Sequence, residues 1–276
     1  LKCISGLLDV QEGAVWLDEE EIKGPNYNLV PGYKTIQYVA QDFDLKPDYS
    51  ARENINHHLD YNYTKKQKEQ IVNRLIRLFG LKDVENQYPR NLSGGQQQRV
   101  AIASSLAEMP KLLLLDEPFN DLDFYTKTKT IEFLKHACEE FETSVILVTH
   151  NYEEAFALCD TLMVMNRGKI IQKGKVEKLF NNPKNQTVAG LMGDYSVLRK
   201  GEKINSETLE KDKIVRPKHI RVAKDAKGDL SVNITECEYF GNYYRCVGIS
   251  DKGSEIIFYS SSNLKETVSL IFSYGS

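Results

Sequence analysis

The sequence predicts an α/β unit built on a parallel sheet with a helical insertion, followed by a small all-β unit. Three observations carry that expectation. Residues 112–115 are four consecutive leucines and residues 145–148 read VILV, short apolar runs of the kind found in strands covered on two faces. Between them lies a helix-length stretch with Ile131, Leu134 and Phe141; strand, helix, strand in that order implies parallel pairing. Beyond about residue 195 the chain changes to alternating stretches separated by Gly, Asp and Ser, the pattern of a compact β unit.

In chain order, LKCISGLL at 1–8 has an apolar helix-like pattern ending at Gly6, and EGAVWLDEEEI resembles a turn entering a short strand. IQYVA at 36–40 is a buried-strand pattern leading into the loop QDFDLKPDYS. Ser50 followed by Glu53, and Thr64 followed by Gln67, are capping-box spacings that open helices. In the second helix Ile71, Leu75, Leu78 and Phe79 share one face, and Gly80 ends it. LMVMNRGKIIQKG predicts a hairpin turning at Asn166, Arg167 and Gly168, and NNPKNQ at 181–186 predicts a loop. KIVRPKHIRV, LSVNITECEYF, YYRCVGIS, EIIFYS and SLIF then predict the strands of the second unit. The expected division is 1–194 and 195–276, with a helical subdomain over about 50–109.

At 276 residues the chain accommodates one sizeable domain and an appendage, since domains run roughly 100–200 residues. Hydrophobic residues at 41% and charged residues at 27% supply a core and a soluble surface. A net charge of -3 gives no basic field to gather nucleic acid, so nucleic acid is not expected as a partner. The cysteines at 3, 138, 159, 237 and 246 are odd in number and form no CxxC pair, which predicts reduced thiols in a cytoplasmic setting. No apolar run approaches the roughly 18 residues of a membrane span, so membrane association is expected only through a partner.

The most specific segment is LSGGQQQR at 92–99. Ser93 and Gln96 form a capping pair, while Gly94 and Gly95 leave backbone N–H groups unobstructed at a helix start, which attracts anions and phosphate above all. SGG alone would be satisfied by a glycine-rich turn. The octapeptide, however, resembles the signature motif of the ABC-transporter ATPases. KLLLLDEP at 111–118 is similar to that family's Walker B element, and Asn120-Asp121-Leu122-Asp123 falls at its D-loop, commonly Ser-Ala-Leu-Asp, matching in the last two residues and departing in the first two. His150, ending SVILVTH, stands at the switch histidine, and Gln41 at the Q-loop glutamine.

The resemblance implies a P-loop NTPase-like core, ATP and Mg²⁺ as cofactors, and roles for particular residues. Asp116 would hold Mg²⁺ through water, with Gln41 reaching the metal; Glu117 would polarise the attacking water and His150 would contact the γ-phosphate. Ser93, Gly94, Gly95, Gln96 and Asp123 would bind nucleotide. THNYEEAFALCD with MNRGKIIQKG looks like importer subunits, and IVRPKHIRV with YFGNYYRCVG resembles their small TOBE β-barrel domain. The implied partners are membrane permease subunits and a second copy of the ATPase, at the inner face of the cell membrane. LKCISGLL resembles the helix that follows GxxxxGK[ST], a motif these 276 residues do not contain. The P-loop and first strands are therefore expected to be missing, and the chain to be inactive by itself. The rival expectations are a non-catalytic scaffold, a dimerisation or regulatory module, and a soluble ABC ATPase without a transport role.

Overall fold

A computed structural model describes residues 1–120, 122–223 and 228–273. The chain packs as two compact units, Leu1–Leu158 and Cys159–Ser276, a division earlier in the chain than the change in sequence character near 195.

The first unit opens on a helical turn in which the Ser5 N–H donates to the Leu1 carbonyl at 3.0 Å; Gly6, at φ +72°, ends it. Strands β1 (Val15–Leu17) and β2 (Glu20–Ile22) form a hairpin. Strands β3 (Ile36–Val39), β4 (Leu112–Asp116) and β5 (Ser144–Val148) form a parallel sheet in the order β3-β4-β5. Period-two alternation divides the leucines of β4 between two cores. Leu113 and Leu115 join the helical cluster containing Ile55, Leu75, Phe79, Ile102 and Leu106, while Leu112 and Leu114 join Ile22 and Ile36 on the opposite face.

Between β3 and β4 lie α1 (Ala51–His57), α2 (Lys65–Leu78) and α3 (Gly94–Ser105). All three begin with the capping boxes expected from the sequence: Ser50 with Glu53, Thr64 with Gln67 and Ser93 with Gln96 each satisfy two otherwise unpaired N–H groups. Gly80, at φ +59°, takes the left-handed conformation after α2 that side chains with a Cβ resist. Helix α4 (Phe124–Glu140) crosses from β4 to β5, and α5 (Tyr152–Leu158) follows β5.

Strand β5 departs from the two-faced burial that VILV predicts. Val145 is 36% and Val148 40% exposed, and among the described residues no strand pairs with β5 on the side away from β4.

In the second unit β6 (Thr161–Asn166) and β7 (Lys169–Lys175) form the expected hairpin, and Arg167 at φ +48° with Gly168 at +75° supply its two left-handed turn residues. Helices α6 (Val176–Asn181) and α7 (Gln186–Gly190) lead to the short strands β8 (Ser196–Leu198), β9 (Lys203–Ile204), β10 (Glu207–Thr208) and β11 (Lys213–Val215). Strands β12 (Ile220–Val222), β13 (Leu230–Tyr239), β14 (Tyr244–Ser250), β15 (Glu255–Ser260) and β16 (Thr267–Phe272) make a nearly closed antiparallel sheet in the order β12-β16-β13-β14-β15. Ile220, Val232, Cys246, Ile256, Phe258 and Leu270 fill it.

Cys237 and Cys246 are partners in the β13–β14 register, which sets their sulfur atoms side by side. Spacing rules for cysteine motifs do not report hairpin register, which is what brings this pair together. Cys3, Cys138 and Cys159 are free.

Arg216 fastens the chain before β8 to this unit. It is 2% exposed, and its guanidinium donates to the carbonyls of Phe180 at 3.0 Å, Ala189 at 2.9 Å, Gly193 at 3.0 Å and Asp194 at 3.1 Å. Two of those carbonyls lie in the last turns of α6 and α7, where helical acceptors lack partners and a cation is favoured. Asp194 in turn accepts from Arg245 Nε at 2.8 Å, Arg245 Nη2 at 3.0 Å and the Tyr259 hydroxyl at 3.1 Å.

The Arg245 guanidinium holds the Asp194 carboxyl below its ordinary value of 3.8. A depressed carboxylate contributes stability that is complete above the unfolded value and lost as pH falls through the lower folded one. Asp194→Asn is therefore expected to lower unfolding stability by about 1–3 kcal/mol at pH 7. Urea titrations at successively lower pH should show the gap from wild type narrowing below about pH 4; a gap that is unchanged or widens in acid contradicts the assignment.

Candidate functional site

Parallel pairing brings the carboxyl ends of β3, β4 and β5 side by side, the edge at which open α/β sheets hold their ligands. Val39 pairs with Leu115, and Asp116 with Val148. The residues just beyond those ends are Gln41, Glu117 and His150, so strand register alone places three sequence-predicted residues at one edge.

Asp116 closes β4, and the Tyr38 hydroxyl donates to its Oδ2 at 2.9 Å. Burial, reinforced by that bond, pushes the Tyr38 phenol up to about 12, so it remains a donor throughout the physiological range. Glu117 sits at φ +47°, a conformation that costs a non-glycine residue on the order of 1–3 kcal/mol. Its N–H donates to the Val148 carbonyl at 2.9 Å, which secures the turn to β5. Its carboxylate Oε2 accepts from Asn120 Nδ2 at 2.6 Å and lies 3.5 Å from His150 Nδ1.

A cleft of about 400 Å³ is lined by Gln41, Asn120, Lys127, His150, Asn151 and Glu154 among others. Gln41 and His150 thus share one concavity, with Glu117 in contact with His150. The group at 93–96 is placed differently. Ser93 caps α3, its Oγ accepting the Gln96 N–H at 3.3 Å while Gln96 Oε1 accepts the Ser93 N–H at 2.8 Å. Gly94 and Gly95 follow in the first turn, where the helix offers no acceptor for their N–H groups. A Cβ on Gly94 would meet nothing, whereas one on Gly95 would lie 2.3 Å from Thr126 Cγ2. Thr126 is in the first turn of α4, capped by Asp123 Oδ1, which accepts the Thr126 N–H at 3.0 Å. Through that contact the α3 start abuts the segment carrying Asp123. Asp121 lies outside the described residues.

Four neighbours of the site were not among the sequence candidates: Tyr38, Asn120, Lys127 and Glu154. Only Asn120 left a signal, as a departure from the D-loop pattern.

A parallel sheet whose carboxyl edge gathers an acid pair, a histidine and a glutamine, with the Ser-Gly-Gly start of α3 set apart from them, has the architecture of a P-loop NTPase fold. Comparison with known proteins gives the family. Residues 1–120 match the ABC transporter family model. The chain is 36% identical over 199 residues to the molybdate/tungstate import ATP-binding protein WtpC of Pyrococcus horikoshii, covering 72% of this chain and 56% of that one. It is 31% identical over 281 residues to the spermidine/putrescine import ATP-binding protein PotA of Clostridioides difficile, covering 95% of this chain and 80% of the relative. An ATP-binding cassette solved as a post-hydrolysis dimer with ADP and Pi superposes with a TM-score of 0.55 at 28% identity, over 63% of this chain and 78% of the other. The chain belongs to the ABC transporter ATP-binding family.

The tight approach at Gly95 makes a direct test. Gly95→Ala is expected to cost about 1–3 kcal/mol, the usual range for overpacking, and Thr126→Ser, which deletes Cγ2 but keeps the hydroxyl facing Asp123, should recover most of it in the double variant. Denaturant unfolding of the four forms gives the coupling; strict additivity contradicts the contact.

Proposed function

We propose that this chain belongs to an ATP-binding and hydrolysing subunit that powers an ABC importer, with Mg²⁺ as the metal. The observation that carries the reading is Glu117 and His150 in contact, next to Asp116, at the carboxyl edge of one parallel sheet. The donor set suits the cofactors. Asp116 and Gln41 offer hard oxygens, and no larger group of metal-ligating side chains gathers among the described residues; magnesium is commonly held by one or two carboxylates plus substrate phosphates. The open space at Gly94 leaves the α3 start accessible to an anion.

In this reading Asp116, through water, and Gln41 would hold the metal, which when bound would offset the negative charge of the phosphates. Glu117 orients the attacking water and takes its proton, with Asn120 fixing the carboxylate. His150 donates a hydrogen bond to the terminal phosphate. Ser93, Gly94, Gly95, Gln96 and Asp123 do not line the Gln41–His150 cleft, which fits a head-to-tail dimer in which they meet nucleotide held by a second copy. Residues 50–109 and the loop after Gln41 are the proposed docking surface for membrane permease subunits, placing the chain peripherally at the inner membrane face. No helix among the described residues is long and apolar enough to cross a membrane. Residues 195–276 are read as a TOBE-like appendage to the ATPase domain.

The 276 residues contain no GxxxxGK[ST], whose backbone N–H groups and lysine cradle the phosphates. This polypeptide by itself is therefore expected to show no micromolar MgATP binding in a calorimetric titration; such binding would overturn that expectation. In any form of the protein that binds MgATP, Glu117→Gln should lower turnover about 100-fold or more with binding retained. Unchanged turnover removes Glu117 from the mechanism.

A further inference from the structure

Glu154 is 3% exposed and plays no part in the steps above. It lies on α5, four residues after His150, and its two oxygens have different partners. Oε1 takes Lys127 Nζ at 2.6 Å, and Oε2 accepts the Thr149 hydroxyl at 2.6 Å. Thr149 Oγ1 then accepts the Asn151 N–H at 3.0 Å, and Asn151 Oδ1 accepts the Glu153 N–H at 2.9 Å. His150 is thus flanked on both sides by residues tied into one network. At the other end Lys127 stands in the first turn of α4, directly after Thr126, which packs on Gly95 and bonds Asp123. A carboxylate this deeply buried is tolerated only when paired and hydrogen-bonded, and here both requirements are met by groups from two different elements.

We propose that Glu154 is a positioning residue that ties the His150 backbone to the first turn of α4. His150 then takes its place from the segment carrying Asp123 and not from β5 alone, and a displacement of α4 against its neighbours is passed to the histidine. The ion pair gives direction to that link: Lys127 and Glu154 line the same cleft as His150, so the connection runs along the wall of the site. The proposal rests on the ATPase reading for the importance of His150, but its geometry does not. A simple stabilising ion pair would lower stability in every variant without moving the imidazole.

The test is the imidazole Cε1–H resonance of His150 in the 276-residue chain without nucleotide, assigned by its loss in His150→Gln. The other four histidines, at 57, 58, 136 and 219, serve as internal controls. Lys127→Met and Glu154→Ala are expected to shift and broaden the His150 resonance while the controls stay in place. Lys127→Arg, which keeps a cation on Glu154, should return it toward the wild-type position. If Lys127→Met fails to fold because it strands the buried Glu154 carboxylate, Glu154→Ala decides, since it leaves only Lys127, whose side chain is 24% exposed; an unmoved His150 resonance there overturns the proposal. A His150 resonance that coincides with wild type in folded Lys127→Met overturns the proposal, as does an equal displacement in Lys127→Arg. No nucleotide enters the measurement, so an unmoved His150 defeats the positioning role alone. Lack of ATP binding in every form of the protein defeats the functional reading and leaves the spectrum as it is.

Discussion

Parallel pairing of β4 with β5 is the constraint from which the chemistry of the first unit follows. The pairing sets Asp116 opposite Val148, and one further bond, from the Glu117 N–H to the Val148 carbonyl, carries the register past the end of the sheet. That bond holds Glu117 in a left-handed conformation that the residue would otherwise leave. From this turn the Glu117 side chain reaches both Asn120 and His150. A register slip of one residue would reverse the leucines of β4 between their two cores as well as misplace the acids. Core packing and site geometry are therefore enforced together.

Local signals were read directly from the sequence. The three capping boxes, the left-handed glycines and the leucine run depend on neighbours within a few positions, and each occurs as expected. The order of strand and helix also sufficed for parallel pairing. Contacts between distant segments were not legible. Nothing in IQYVA shows that Tyr38 donates to a carboxylate 78 positions later, and nothing in the cysteine spacing announces that hairpin register sets Cys237 beside Cys246. Glu154 looks like one acid of a solvated Glu-Glu pair, yet it is buried and paired with Lys127 of α4. The candidate residues were recognised through a family motif, whereas those that support them are visible only after folding.

The second unit solves a different problem with similar means. Five antiparallel strands bury a common interior, and a single arginine takes up carbonyls at the ends of two short helices. Arg216 supplies through one side chain what several separate caps would otherwise provide. Asp194 connects this arrangement to the sheet, offering its carbonyl to Arg216 and its carboxylate to Arg245.

The outer margin of β5 has a consequence for handling the protein. A row of backbone donors and acceptors with valines on show is a template onto which another extended segment can add. With that margin uncovered, self-association that grows with concentration is the expected outcome. Covering that margin, whether by a natural neighbour or by a designed charged substitution at Val148, is the most direct route to a well-behaved sample.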